Sequence, residues 1–199
     1  MNNKMLFISF VTLGFLITSL LLLVWLLQQN KPLYDQLGEA ILKADPNYNE
    51  IVHLHADQKQ TIAFYKTNKS ELGVLSLKKN FRRYEVDDYL GKTSIFTDQK
   101  LSWHGTEKQE SNIHLLYGLI KDPDITQIFL ISEGNKTAQM INDGEIILWY
   151  SLIESRLKRP ITIQATNREG KIMYEYGDVD FWSKAKIENK EGATFVTNN

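Results

Sequence analysis

Residues 5–27 read MLFISFVTLGFLITSLLLLVWLL, a run without a single charge. As a helix rising about 1.5 Å per residue it would be roughly 34 Å long, enough for a hydrocarbon core of about 30 Å. It is apolar on every side, whereas a helix in a globular core keeps a polar stripe. A cleaved signal peptide would have a shorter apolar run and small residues at its cleavage site. The exit Leu27-Gln28-Gln29-Asn30-Lys31-Pro32 offers no such site. The expectation is therefore an uncleaved transmembrane anchor at 5–27, held in the lipid bilayer with Trp25 at headgroup level. Lys4 precedes the run and Lys31 and Lys43 follow it, so the count of flanking cations does not set the orientation. The short tail at 1–4 favours a cytoplasmic N-terminus, giving a single-pass cell-membrane protein with an extracytoplasmic domain.

Beyond residue 27 the composition is that of a domain with a real core. The chain has 23 Lys+Arg, 24 Asp+Glu and no cysteine. The missing cysteine excludes a disulfide scaffold, a Cys-ligated metal and a cysteine nucleophile. The near-neutral charge argues against a nucleic-acid binder, which needs a basic surplus to displace counterions.

Leu33, Tyr34, Leu37, Ile41 and Ala44 recur at three- and four-residue steps, which predicts a short juxtamembrane helix ended by Asp45-Pro46-Asn47. The period then changes to two. Residues 51–56, 61–66, 73–78 and 81–89 read as strands joined by polar links, an antiparallel meander. Residues 94–111 are mixed and polar and are the candidate boundary between two subdomains, read either as a weak hairpin of 94–97 with 100–104 or as a mobile loop. Further strands are expected at 112–120, 126–132, 137–141, 145–150, 161–166 and 171–176, with a short helix or bulge at 151–158. The two strand groups share a loose plan, so the fold class expected is α+β, mostly antiparallel β, with a meander domain of two similar halves. The organisation is a tail at 1–4, an anchor at 5–27, a helix and turn at 28–49, a β-rich domain at 50–183 and a polar tail at 184–199, in which Phe195-Val196 would pair at an edge.

The sharpest chemical pattern is His53-Leu54-His55-Ala56-Asp57. In a regular strand His53, His55 and Asp57 share one face while Val52, Leu54 and Ala56 share the other. Two imidazoles and a carboxylate are a zinc-type ligand set. The spacing resembles the start of the metallo-β-lactamase-like hydrolases and departs from it at Gln58, where that family has histidine. The bland alternative is a half-exposed strand with two histidines on its polar face. No G-x-S-x-G, Ser-x-x-Lys, H-E-x-x-H, P-loop or G-x-G-x-x-G pattern occurs. Asp87-Asp88 and Asp178-x-Asp180 read as solvated turns.

Two basic clusters, Lys78-Lys79 with Arg82-Arg83 and Arg156 with Lys158-Arg159, suit an anionic lipid or wall polymer or, more simply, the protection of strand edges. Trp149, Tyr150 and Trp182, with Arg156, Lys158 and Arg159, are the candidate partner surface, although late aromatic residues more often pack a core. Tyr117-Gly118-Leu119-Ile120-Lys121-Asp122-Pro123-Asp124-Ile125, Trp149-Tyr150 and Gly170-Lys171-Ile172-Met173-Tyr174, together with the apolar run, resemble the uncharacterised single-pass extracytoplasmic proteins of Gram-positive bacilli. That resemblance implies no catalytic residue and no cofactor. The function expected is an anchored binding or interaction module without catalysis, contacting an envelope protein or an anionic wall polymer. The alternative is a metal-dependent hydrolase working through His53, His55 and Asp57.

Overall fold

In a computed structural model the described residues are 3–28, 32–80 and 83–184, with side chains of the first segment described over 12–24. Expectations resting on Met1 and Asn2, on the side chains of Lys4 and Trp25, on Lys31, on Arg82 and on residues 185–199, including the Phe195-Val196 pairing, lie outside them.

Helix α1 (Asn3–Gln28) carries the apolar run. Over residues 12–24 its side chains are exposed, Phe15 and Leu16 among them. Among the described residues no helix is long and apolar enough to cross a membrane. This corrects the anchor expected at 5–27 and, with it, the single-pass placement of an extracytoplasmic domain.

Helix α2 (Leu33–Ala44) follows Pro32, whose φ of −51° already suits a helix start. Its apolar stripe buries Leu37, Ala40 and Ile41. The helix stops at Asp45, whose extended backbone donates its N–H to the Ile41 carbonyl at 2.8 Å.

Strands β1 (Tyr48–Ala56), β2 (Thr61–Thr67), β3 (Glu71–Asn80) and β4 (Arg83–Ser94) form a first sheet in that order. Each is antiparallel to the next, as the polar links between them dictate. The chain then builds two more sheets at once. The second contains β5 (His104–Lys108), β6 (Ile113–Ile120), β10 (Ile147–Ile153) and β9 (Gln139–Asn142). The third contains β12 (Ile172–Tyr176), β11 (Ile163–Thr166), β7 (Gln127–Leu130) and β8 (Lys136–Thr137). The connections after β6, β8 and β10 each carry the chain from one of these sheets to the other. The second strand group is thus not a repeat of the first: one meander is followed by two interleaved sheets. The expected 137–141 strand is split at Ala138, whose N–H bonds the Ile128 carbonyl at 2.9 Å while its neighbours serve different sheets. The expected 94–104 hairpin is replaced by a link in which Leu101 bridges Ile120. Residues 151–153 continue β10 rather than forming a helix.

Side-chain alternation explains the layering. On β2, Ala63 and Tyr65 pack with α2, while Ile62 and Phe64 pack on the second sheet. On β6 every residue is buried: Ile113, Leu115, Tyr117 and Leu119 face the first sheet, while Leu116 and Ile120 face the third. A strand covered on both faces reads as a near-continuous apolar run rather than an alternating one, as IHLLYGLI here does. The order of layers is therefore α2, first sheet, second sheet, third sheet. Glycine is required where a side chain crosses the backbone. A Cβ at Gly118 would lie 1.9 Å from the Ser102 carbonyl oxygen, the acceptor of the Trp149 indole N–H.

Candidate functional site

The sequence-predicted histidines lie on the seam between the first and second sheets. The β1–β2 pairing slips between Ile51 and His53, so Val52 is an extra residue in the ladder. This bulge corrects the simple alternation: Val52 packs on the same side as His53, against the second sheet, while Leu54 packs toward α2. His53 and His55 then reach across the seam to one atom, the Tyr150 hydroxyl on β10. His53 Nε2 lies 2.9 Å from it and His55 Nδ1 3.2 Å. The same hydroxyl donates to Oε1 of Gln139, the neighbour of Tyr150 across the β9–β10 ladder.

A phenol has one proton and two acceptor positions. With the proton given to Gln139, the oxygen accepts from both imidazoles, which sets Nε2–H on His53 and Nδ1–H on His55. The remaining nitrogen of His55 lies 3.4 Å from Oδ2 of Asp57. The other oxygen of Asp57 accepts the backbone N–H groups of Lys59 and Gln60 at 2.7 and 2.8 Å. These bonds, with a smaller contribution from His55, hold the Asp57 carboxyl below its usual range. Burial, reinforced by the charge of His55, lowers the pKa of His53, which favours its neutral form. The rings of His53, Phe64 and Tyr150 pack together, with His53 and Tyr150 centroids 5.3 Å apart.

The two histidines of the expected zinc-type ligand set are therefore turned onto a tyrosine, while Asp57 stays in the exposed β1–β2 turn. Among the described residues no group of three or more His, Cys, Asp and Glu side chains could hold a metal ion. His104 stacks on Tyr117 in the same seam, and burial lowers its pKa. His114 is buried with Nδ1 3.9 Å from Glu107 Oε1.

Two of the expected partner-surface residues, Trp149 and Tyr150, are not at the surface. Trp149 is fully buried against the third sheet and Tyr150 is buried against the first, so neither is a surface group. Trp182 is half-buried, its indole N–H shared between the Pro160 carbonyl at 2.9 Å and Thr162 Oγ1 at 3.2 Å. Arg156, Lys158 and Arg159 are exposed, and Arg159 reaches Glu107 at 3.4 Å. The carboxylate pairs are likewise in use. Asp87 bonds Lys78 at 2.8 Å, Asp88 bonds Lys108 at 3.1 Å, and Asp178 accepts the Phe181 N–H at 2.9 Å.

The residue missed by sequence reasoning is Lys66. It closes β2 on the seam side and is only 6% exposed. Its ammonium lies 2.7 Å from Glu145, 2.8 Å from Asp143 and 3.2 Å from Glu50. Burial alone would lower its pKa; the three carboxylates outweigh that and raise it. Asp143 and Glu145 belong to the connection between β9 and β10, so this cluster ties β1, β2 and that connection together. The only sequence signal was a lysine inside the otherwise apolar TIAFYKT strand.

Cavities open at both ends of the seam. One of about 340 Å³ adjoins Lys66 and is walled by Ile95, Phe96, Leu119, Ile146 and Glu145, among others. The other, of about 290 Å³, lies by the β1–β2 turn and is lined by Asp57, Lys59, Ser76, Lys78 and Lys79 among others. Comparison of the chain with family models, with curated proteins and with solved structures returned no match.

Proposed function

We propose that the protein works by binding, without catalysis of its own, and that the seam between the first and second sheets is its working part. The observation that carries this reading is the convergence of His53, His55 and Gln139 on the Tyr150 hydroxyl. Each imidazole spends one ring N–H on a buried phenol, which fixes the orientation of both rings inside the seam. A catalytic base, by contrast, needs hydrogen-bond reach to a substrate atom. Lys66 is occupied in the same way by its three carboxylates. What stays open beside these bonded groups is cavity space with a few convergent polar groups, the usual form of a ligand site.

Two measurements test this on the purified full chain. Metal analysis and a zinc titration should find no stoichiometric ion, and the His53→Ala/His55→Ala variant should give the same result. One equivalent of zinc, lost in that variant and accompanied by zinc-dependent ester or amide hydrolysis, would establish the hydrolase instead. A photo-crosslinking side chain at Phe96 should give a discrete adduct in the source cells. The same group at Glu169, on the exposed turn between β11 and β12, should give none. Equal labelling from both positions would remove the seam as the contact.

A further inference from the structure

We infer that the cavity at the β1–β2 turn end of the seam is a site for a tetrahedral oxyanion, a phosphate or sulfate group. The inference gives a ligand class to the binding reading above and rests on it. The residue that points to a ligand is Ser76. It lines this cavity of about 290 Å³ and is only 3% exposed, and its hydroxyl has no hydrogen-bond partner among the described residues. Most buried side-chain polar atoms are bonded, so an orphaned hydroxyl beside a cavity marks a place that a bound group would complete. The alternation of β3 puts Ser76 on the seam side. It pairs with Ile62, which packs on the second sheet, whereas Leu75 and Leu77 pack toward α2. The cavity lies on that same side, since Ile113 of the second sheet is another of its walls.

The sign of the group follows from which charges are already paired. Asp57, Asp87, Lys59, Lys78 and Lys79 line the cavity. Asp87 holds the Lys78 ammonium at 2.8 Å. Asp57 accepts the backbone N–H groups of Lys59 and Gln60 on one oxygen and faces His55 with the other. Asp88, opposite Ser76 in the β3–β4 ladder, is held by Lys108 at 3.1 Å and by the Ser111 hydroxyl at 3.3 Å. Each carboxylate thus has its donors, while no ion pair of the described residues around this cavity includes Lys59 or Lys79. With the Asp88–Lys108 pair counted in, four ammoniums stand against three carboxylates. An incoming anion balances that surplus; an incoming cation adds to it and finds no carboxylate without a donor. The donors left over are the Ser76 hydroxyl and two ammoniums. They are carried by β3, by its exposed end and by the β1–β2 turn, so they suit a head with three or more oxygens better than a carboxylate, which has two. Hydrogen bonds from ammonium to an oxyanion are charge-assisted and the stronger for it.

The test uses the folded full chain in chloride buffer at fixed ionic strength, because salt screens exposed charges. Backbone amide shifts are followed against inorganic phosphate, sulfate, acetate and methylammonium. Phosphate should give saturable shifts at Lys59, Ser76 and Lys79, with acetate at least about fivefold weaker for want of one hydrogen bond and methylammonium without effect. Sulfate as tight as phosphate supports the tetrahedral group as such; sulfate much weaker narrows it to a phosphoryl group. Ser76→Ala should weaken phosphate about fivefold. It should not lower the melting temperature in chloride, because the hydroxyl has no partner to lose there. Lys59→Gln combined with Lys79→Gln, both at exposed positions, should weaken phosphate at least about tenfold. Unsaturable shifts, phosphate binding indifferent to Ser76→Ala, a lower melting temperature of that variant in chloride, or acetate as tight as phosphate would each overturn the assignment. Those failures would leave the binding reading to the crosslink at Phe96, by the other end of the seam, whereas zinc-dependent hydrolysis would remove that reading whatever phosphate does.

Discussion

The two faces of the second sheet are packed in different ways. Toward the third sheet the contact is apolar: Leu116, Ile120, Trp149 and Ile153 meet Ile128, Leu130, Ile163 and Ala165. The Trp149 indole finds a carbonyl 2.9 Å away, so nothing polar on that large side chain is left unpaired. Toward the first sheet the seam has an aromatic middle of Phe64, Tyr117 and Tyr150, but polar groups run along it. Histidines meet a phenol on the β1 side, and an ammonium with three carboxylates stands by one of its two end cavities. Apolar contact stabilises in proportion to area and has little directional preference. Hydrogen-bonded and ionic contacts add little net stability but penalise any other register, because a slipped pairing strands a buried polar group. The face toward the third sheet holds the fold together; the face toward the first sheet fixes alignment and leaves space for another molecule.

That contrast can be broken at either face. The largest effect is expected from Trp149→Ala, which empties a fully buried site in the apolar face and should cost about 3–5 kcal/mol, read from denaturant unfolding. Lys66→Met comes next. It leaves Asp143, Glu50 and Glu145 without their counter-ion, but the two glutamates are solvated, so a loss of about 2 kcal/mol is expected. Unlike the tryptophan change, this loss should shrink at high salt. Tyr150→Phe keeps the ring and removes only the hydroxyl on which two histidines and Gln139 converge, for about 1–2 kcal/mol. If Tyr150→Phe proved as damaging as Trp149→Ala, the division between the faces would be wrong.

The smallest effect is in the pH profile. His53 and His104 both lie in the seam toward the first sheet, and both have folded pKa values below the ordinary 6.5. The unfolded chain therefore takes up their protons first as pH falls. Their contribution is complete above 6.5 and is lost as pH drops from there through the lowered folded values. Asp45 behaves differently, on the α2 side of the first sheet. Burial alone would raise its carboxyl, but Lys92 at 2.7 Å, the Asn47 N–H and the Tyr65 hydroxyl outweigh that and hold it at about 2. Its contribution is full above 3.8 and is lost as pH falls through about 2. Melting temperatures should thus decline in two separated acid steps, and His53→Gln should reduce only the one at higher pH.

Much of the first sheet was legible in the sequence, because its strands alternate and its links are short and polar. The buried β6 strand could be read as apolar, but not as covered on both sides, since that depends on strands brought back from elsewhere in the chain. The interleaving of the second and third sheets was not legible: a two-residue strand such as Lys136–Thr137 has no periodicity to read. At the site, the histidine spacing marked the right strand face but not its content. Tyr150 lies 97 residues from His53 in the chain, and the bulge at Val52 cannot be seen in a local pattern. The apolar run gave the opposite lesson. Its composition spoke for a membrane span, yet among the described residues no helix meets that requirement.

The central claim is that His53 and His55 are internal hydrogen-bond donors to Tyr150. Long-range proton–nitrogen correlation spectra of the imidazole rings test it directly, recorded with and without one equivalent of zinc. The account predicts a proton on Nε2 of His53 and on Nδ1 of His55, resonances that zinc leaves in place, and a change in both rings in Tyr150→Phe. Zinc-induced coordination shifts on the two rings, unaffected by loss of the Tyr150 hydroxyl, would contradict it.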